Sequence, residues 1–391
     1  MPSTAHEARR LQIFKIALTK APGRSEISGD DRDLRLDACR GLALWFVFID
    51  HIPGNVFDWL TIRNYGFSDA SEVFVFVSGY TCMVSYGGTL RSRGWPTVIS
   101  SSLRRSFEIY VAFLLLVIIY LTLVWQSGSY LDETNTRHFF EDPGTALVHL
   151  LALQYAPVNT DILPTFVILH LAFPLVLWLI ARNAVVALAA SFMLYLMVQL
   201  YSWHMPAWPT GELYFNPFAW QILFVVGACS AGPCAPQFAG FVRHRAAIPL
   251  AAAYVLFSLI VVLSWRVDAF KWLIPQMIED WLYPIYKSHL DSARLIHFLA
   301  IVVLLMRFVP PAGHRPTGPW TKALIRCGEN SLPIFCFSVV ASFIAFVLLN
   351  QVSDGLPMQA AVSALGIAFM IVIANLLTWE ARLDRRSPEL F

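Results

Sequence analysis

The stretch LDACRGLALWFVFIDH, residues 36–51, decides how this chain is read. It is strongly apolar, yet it sets Arg40 and His51 eleven residues apart. Eleven residues make about three helical turns, so both side chains leave one face of a helix, roughly 16 Å apart along its axis. A titratable base in hydrocarbon is costly and marks a functional position. One cation near a membrane surface and one imidazole near the midplane, on one face, describe a lined path better than a lipid-facing helix.

The rest of the chain supplies the membrane segments. Its 391 residues are 57% hydrophobic and only 14% charged, against about 25% charged in soluble domains. With a mean hydropathy of +0.59, the class is an all-α polytopic transmembrane bundle. The small net charge of +2 gives no sign of nucleic-acid binding. Apolar runs place spans near 36–56, 69–89, 106–126, 162–181, 184–202, 217–233, 247–265, 292–309, 329–350 and 358–379, about ten spanning helices. Residues 1–31 are expected as a cytoplasmic tail, 32–380 as the membrane domain and 381–391 as a cytoplasmic C-terminal tail. No cleavable signal pattern is present, and His6 to Lys20 can form a basic amphipathic helix.

Loop charge sets the topology. The run TALVHLLALQYAP (Thr145 to Pro157) is short and bounded by Pro143 and Pro157. If it spanned, Arg243, Arg245, the Arg307–Arg326 loop and Arg382, Arg385 and Arg386 would fall outside. As an interfacial or re-entrant helix, it leaves every strongly basic loop on one side, as the positive-inside rule demands. Both termini are then cytoplasmic. The opposite loops are acidic (Asp132, Glu133, Glu141, Asp142) or aromatic. No internal repeat is evident, which disfavours repeat-built transporters. The six cysteines, Cys39, Cys82, Cys229, Cys234, Cys327 and Cys336, have no metal or redox spacing and read as small core residues.

Several constellations then bear on chemistry. Asp50 and His51 share FVFIDHIP, but adjacent helical residues do not face each other. The second helix opens FSDASEVFVFVSGY, with Asp69 and Glu72 at its outer end and Ser78-Gly79-Tyr80 deeper. A short loop makes the first two helices antiparallel neighbours, so His51 and Glu72 are expected to meet, the carboxylate holding the imidazole tautomer. The cytoplasmic loop LRSRGWPTVISSSLRRSFEIY carries Arg91, Arg93, Arg104 and Arg105, either as lipid anchors or as a clamp for a phosphorylated donor. Lys322 and Arg326 in TKALIRCGENSLPIF can add to it. No P-loop or dinucleotide fingerprint occurs, which argues against a donor held as a nucleoside triphosphate. Outside, WHMPAWPTGELYFNPFAWQILF interleaves Trp208, Trp220 and other rings with Glu212, Asn216 and Gln221. That mixture suits either an interfacial aromatic belt or the faces and hydroxyls of sugars. Asp161 and His170 are further buried polar groups.

These residues carry a family resemblance. RGLALWFVFIDH resembles the R-x(10)-H motif of the polytopic membrane acyltransferases that modify surface and periplasmic glycans. VFVFVSGY resembles that family's F-x-x-x-S-G-[FY] motif, and RRSFEIY its paired arginines. Within the family, DLRLDACRGLALWFVFIDHIP, FSDASEVFVFVSGY, ILPTFVIL and FNPFAWQILFVVG most resemble the OpgC-type succinyltransferases of osmoregulated periplasmic glucans. The resemblance runs from about residue 32 onward. It implies ten transmembrane helices in a bacterial inner membrane, a cytoplasmic acyl-CoA donor and an extracytoplasmic sugar acceptor. His51 carries over as catalytic and Arg40 as its motif partner. The chain departs from the wider family in having Glu72 where Asp is common and ILPTFVILH where a more acidic segment is usual.

The expected function is therefore O-acyl transfer: a succinyl group moves from succinyl-CoA to hydroxyls of periplasmic glucans. His51, Glu72 and Asp50 are the expected catalytic group. Arg40, Arg104, Arg105 and Arg326 are expected to bind the donor, and Trp208, Asn216, Trp220 and Asp69 the acceptor. No metal and no permanently bound cofactor is expected; the partners are the bilayer, acyl-CoA and the glucan. The alternatives are an O-acetyltransferase of another surface glycan, using acetyl-CoA, or a transporter passing an anion along Arg40 and His51.

Overall fold

Helix α1, Leu34–Asp50, starts where the Asp33 carboxylate accepts a hydrogen bond from the Arg35 amide at 3.1 Å, a side-chain cap for an otherwise unpaired N–H. It ends because Pro53 and Gly54 (φ +76°) turn the chain. Two 3-10 turns, Val56–Leu60 and Ile62–Asn64, follow. The computed structural model describes residues 33–309 and 318–384. The amphipathic helix expected between His6 and Lys20, together with Arg32, Arg315, Arg385 and Arg386, lies outside the described residues.

The remaining helices are α2 (Ala70–Arg93), α3 (Trp95–Ser127), α4 (Arg137–Glu141), α5 (Pro143–Leu151), α6 (Ile162–Arg182) and α7 (Ala184–Tyr201). Then come α8 (Pro217–Ala231), α9 (Ala235–Arg243), α10 (Ala247–Arg266), α11 (Gln276–Leu282) and α12 (Ser292–Phe308). The chain closes with α13 (Pro319–Glu329), α14 (Ser331–Gln351) and α15 (Leu356–Asp384). Among the described residues the fold is all-helical, with only an isolated β-bridge, Pro206 to Glu212.

Among the described residues seven helices, α2, α3, α6, α7, α10, α14 and α15, are long and apolar enough to cross a membrane. The count reaches eight if α8 and α9, bent by 94°, form one broken span. The protein is thus a multi-pass membrane protein, and the described residues give seven or eight such spans where the sequence led to an expectation of about ten. The reason is length: α1 and α12 have 17 residues each, about 25 Å at the helical rise. Helix α5 has nine residues, too short to cross, in keeping with the run Thr145–Pro157 not spanning. In the long helices only 22% to 50% of each apolar window is buried within the protein; the remaining faces suit lipid.

Small residues set the tightest packing. Helix α2 packs most closely on α8, and α1 on α13. A Cβ on Gly79 would overlap the Phe224 carbonyl, and one on Gly227 the Phe76 carbonyl. Gly41 meets Leu324, and Gly328 meets Asp37, in the same reciprocal way. Backbones approach this closely only where no side chain intervenes, as in small-residue interfaces of membrane helices. The α1–α13 contact fixes the rotation of α1, and so the direction in which Arg40 points.

Candidate active site

Arg40 reaches from α1 towards α2. Its Nη2 donates to Thr81 Oγ1 at 3.2 Å and, at 3.5 Å, to the Val77 carbonyl. Its Nη1 lies 3.8 Å from Asp37 Oδ1, one turn back. The guanidinium lines a cavity of about 290 Å³ between α1, α2, α3, α6 and α14. Arg105, Ser78, Ser85, His170 and Ser331 line it too. His170 donates through Nδ1 to the Phe166 carbonyl at 2.9 Å, which leaves Nε2 as the acceptor nitrogen. Two arginines, hydroxyls and apolar rings make a cavity that can hold an anionic group and an apolar chain together.

The four arginines expected at the donor site separate. Arg40 and Arg105 share the cavity wall. Arg104 is 82% exposed at its side chain and pairs with Glu108 at 3.0 Å. Arg326 turns to Asn375 on α15, a hydrogen bond between its Nη1 and Oδ1. Neither Arg104 nor Arg326 is among the described residues lining the cavity.

His51 follows α1 directly, its amide still bonded to the Val47 carbonyl at 3.0 Å. Its Nδ1 is buried and has no hydrogen-bond partner among the described residues. Trp265 Nε1 and His297 Nε2 are likewise buried without a partner among the described residues, so it is the charged surroundings that set His51 apart. Lys287, Asp69 and Arg63 all act on the ring electrostatically. Asp50 accepts from Thr61 Oγ1 at 2.7 Å and feels the same three groups.

Glu72 is used differently from the expectation. It is wholly buried, its Oε2 accepts from the Asp69 amide at 2.9 Å and its Oε1 lies 2.7 Å from Arg294 Nη2. With the Asp69 carboxylate accepting from Ser71 N–H, this completes a capping box on α2. Both oxygens thus serve the cap and Arg294 rather than the imidazole. Asp69 is the carboxylate that acts on His51. Its Oδ2 is 2.7 Å from Lys287 Nζ and 3.0 Å from Arg294 Nη2. Burial works to raise the Asp69 pKa, but Lys287 and Arg294 outweigh it and hold the carboxyl well below its usual range.

The residues expected to touch sugar also divide. Trp220 is wholly buried; its Nε1 donates to the carbonyls of Lys287 and Ser288 at 3.2 and 3.1 Å. Asn216 is buried too. It caps α8 through Phe218 N–H at 3.1 Å, and its own amide donates to the Ser288 carbonyl at 3.1 Å. Both therefore fix the segment that carries Lys287 rather than offering faces to a ligand. Trp208 stacks on His149 at 5.3 Å and meets Tyr155 edge-on. Lys287 and Arg294 are the two site residues missed in the sequence. Arg294 carried a signal, a charge inside the apolar run SARLIHFLAIVV; Lys287, in a polar aromatic loop, carried none.

Searches among curated proteins and among solved structures each gave no match. A family model described as OpgC protein matches residues 32–382, a stretch that takes in α1 and its His51, the cavity and the Lys287–Arg294 segment. The chain belongs to the OpgC family.

Proposed function

We propose that the protein is a membrane O-acyltransferase of glucans, moving a succinyl group from cytoplasmic succinyl-CoA to hydroxyls of osmoregulated periplasmic glucans in a bacterial inner membrane. Family membership suggests glucan acylation. The observation that carries the chemical reading is His51: a ring with an unpartnered buried nitrogen, beside Asp50, Asp69 and Lys287, at the end of the helix that sends Arg40 into the cavity. Both termini are cytoplasmic in this reading, and the thioester enters at the arginine end.

His51 takes the proton of the acceptor hydroxyl as its oxygen attacks the thioester carbonyl. The new ester C–O bond forms, the C–S bond breaks, and the proton passes to the departing coenzyme A thiolate. The imidazolium formed in between is stabilised by Asp50 and Asp69. Arg40 and Arg105 hold the donor's anionic groups. Lys287, paired with Asp69 at 2.7 Å, keeps that carboxylate charged towards the imidazolium.

The test is transfer of label from succinyl-CoA to added glucan by membranes containing the protein, run in parallel with labelled acetyl-CoA. His51→Ala is expected to reduce succinyl transfer by about 10²–10⁴-fold at unchanged expression. Wild-type rates in that variant would remove His51 from the chemistry. Transfer of acetyl alone would leave the mechanism and replace the donor.

A further inference from the structure

A second pocket lies at the outer ends of α7 and α12, apart from the arginine cavity. Its volume is about 490 Å³, within the ~300–1,000 Å³ range of small-ligand sites. It is lined by Gln199, Ser202, Glu212, Tyr286, His289 and Asp291. The segment between Lys287 and Asp291 joins this pocket to Asp69, the carboxylate that acts on His51, and its carbonyls are held in turn. Trp220 takes those of Lys287 and Ser288. Gln199 Nε2 donates to that of His289 at 2.8 Å and Tyr195 to that of Leu290 at 3.0 Å. Lys287 thereby faces Asp69, while His289, two residues on, donates from Nε2 to Glu212 Oε2 at 2.9 Å.

The groups left over in the pocket share one chemistry. Glu212 bonds through Oε2, which leaves Oε1. Asp291 caps α12 through Oδ1, which leaves Oδ2. Gln199 donates its amide nitrogen, which leaves its oxygen. These are acceptors, joined by the hydroxyls of Ser202 and Tyr286 and by the Tyr286 ring, which is 59% exposed. Two carboxylates repel an anion, and no cluster of three metal-binding side chains exists among the described residues. Acceptors for hydroxyl donors, next to an open aromatic face, fit a neutral polyol.

We infer that this pocket is an acceptor subsite for glucose units of the glucan, holding the chain by units beyond the one presented to His51. The inference rests on the acceptor reading above for its ligand. Because Lys287 and His289 belong to one rigidly held segment, a bound chain is indexed against the reacting centre rather than merely tethered.

The test is direct binding of a neutral hexameric glucooligosaccharide to the purified full chain in detergent, by saturation-transfer NMR and calorimetry, with no acyl donor present. Wild type is expected to bind. Tyr286→Ala, which breaks no hydrogen bond, and Glu212→Gln are each expected to weaken binding by about tenfold. Trp272→Ala, an exposed ring outside the pocket, serves as the comparison and binds as wild type. Absence of binding by wild type, or wild-type affinity in both pocket variants, overturns the subsite. Binding that follows this pattern in a protein that transfers no acyl group when acyl-CoA is added in a separate assay upholds the subsite and removes the acyltransferase reading instead.

Discussion

Replacing Arg294 with Gln removes the one cation shared by two buried carboxylates. Arg294 Nη2 lies 2.7 Å from Glu72 and 3.0 Å from Asp69. Asp69 retains Lys287 at 2.7 Å, but Glu72, wholly buried, retains only the Asp69 amide. Breaking a buried ion pair by removing one partner costs about 3–5 kcal/mol, because the remaining charge is stranded. Unfolding entropy of about 2.1 cal/mol/K per residue, taken over 391 residues, converts that to a fall in Tm of about 4–6 °C. Thermal unfolding of detergent-purified protein, followed by its tryptophan fluorescence, measures it. Neutralising the stranded acid as well, in the Glu72→Gln, Arg294→Gln double variant, is expected to restore at least half of the loss. If Arg294→Gln melts within a degree of wild type, or if the double variant melts below it, the stranded-charge argument is wrong.

Three other outcomes follow from the same contacts. Gly79→Val forces α2 from the Phe224 carbonyl on α8 and is expected to abolish accumulation of folded protein, read by size-exclusion profile; a normal profile would refute the close approach. Arg40→Ala and Arg105→Ala each remove a cation from the cavity wall and are expected to raise KM for the acyl-CoA by about tenfold or more, whereas Arg104→Ala, whose side chain is exposed, changes it little. The low carboxyl pKa of Asp69 contributes stability that is present above the unfolded value of about 3.9 and is lost as pH falls through the lower folded value. The Tm gap between wild type and Asp69→Asn should therefore stay constant from pH 8 to about 4 and narrow only below; a gap that closes near pH 6 would contradict the pairing.

What the sequence revealed was local. Apolar length and helical period led to an all-helical membrane protein, and the eleven-residue spacing put Arg40 on α1 with His51 just past its last residue, though His51 is not among the described residues lining the cavity that Arg40 lines. The short run after Pro143 was legible as a non-spanning helix because crossing would have put the strongly basic loops on opposite sides. The span count was not: α1 is cut by Pro53 and Gly54, and α8 bends away from α9 at Gly232 and Cys234, so apolar composition overran the helices themselves. Contacts far apart in the chain were also hidden. Glu72 meets Arg294, 222 residues later, and Trp220 meets Lys287, 67 residues later. Neither distance has a periodic signature, so Glu72 was placed on His51, and Trp220 and Asn216 were read as sugar contacts instead of supports for the Lys287 segment. Arg40 and Arg105 do share a cavity wall, from within α1 and α3, while Arg104, one residue away, points about 100° round the helix into the open.

The most direct measurement of the central claim is the mass spectrum of periplasmic glucans from cells that lack the gene and are supplied with either wild-type protein or His51→Ala. Wild type is expected to restore a succinyl mass increment on the glucans, and His51→Ala, at equal abundance in the membrane, to leave them unmodified. Glucans carrying the increment in both strains would contradict the role of His51. Glucans without it in either strain would contradict the succinyl transfer itself.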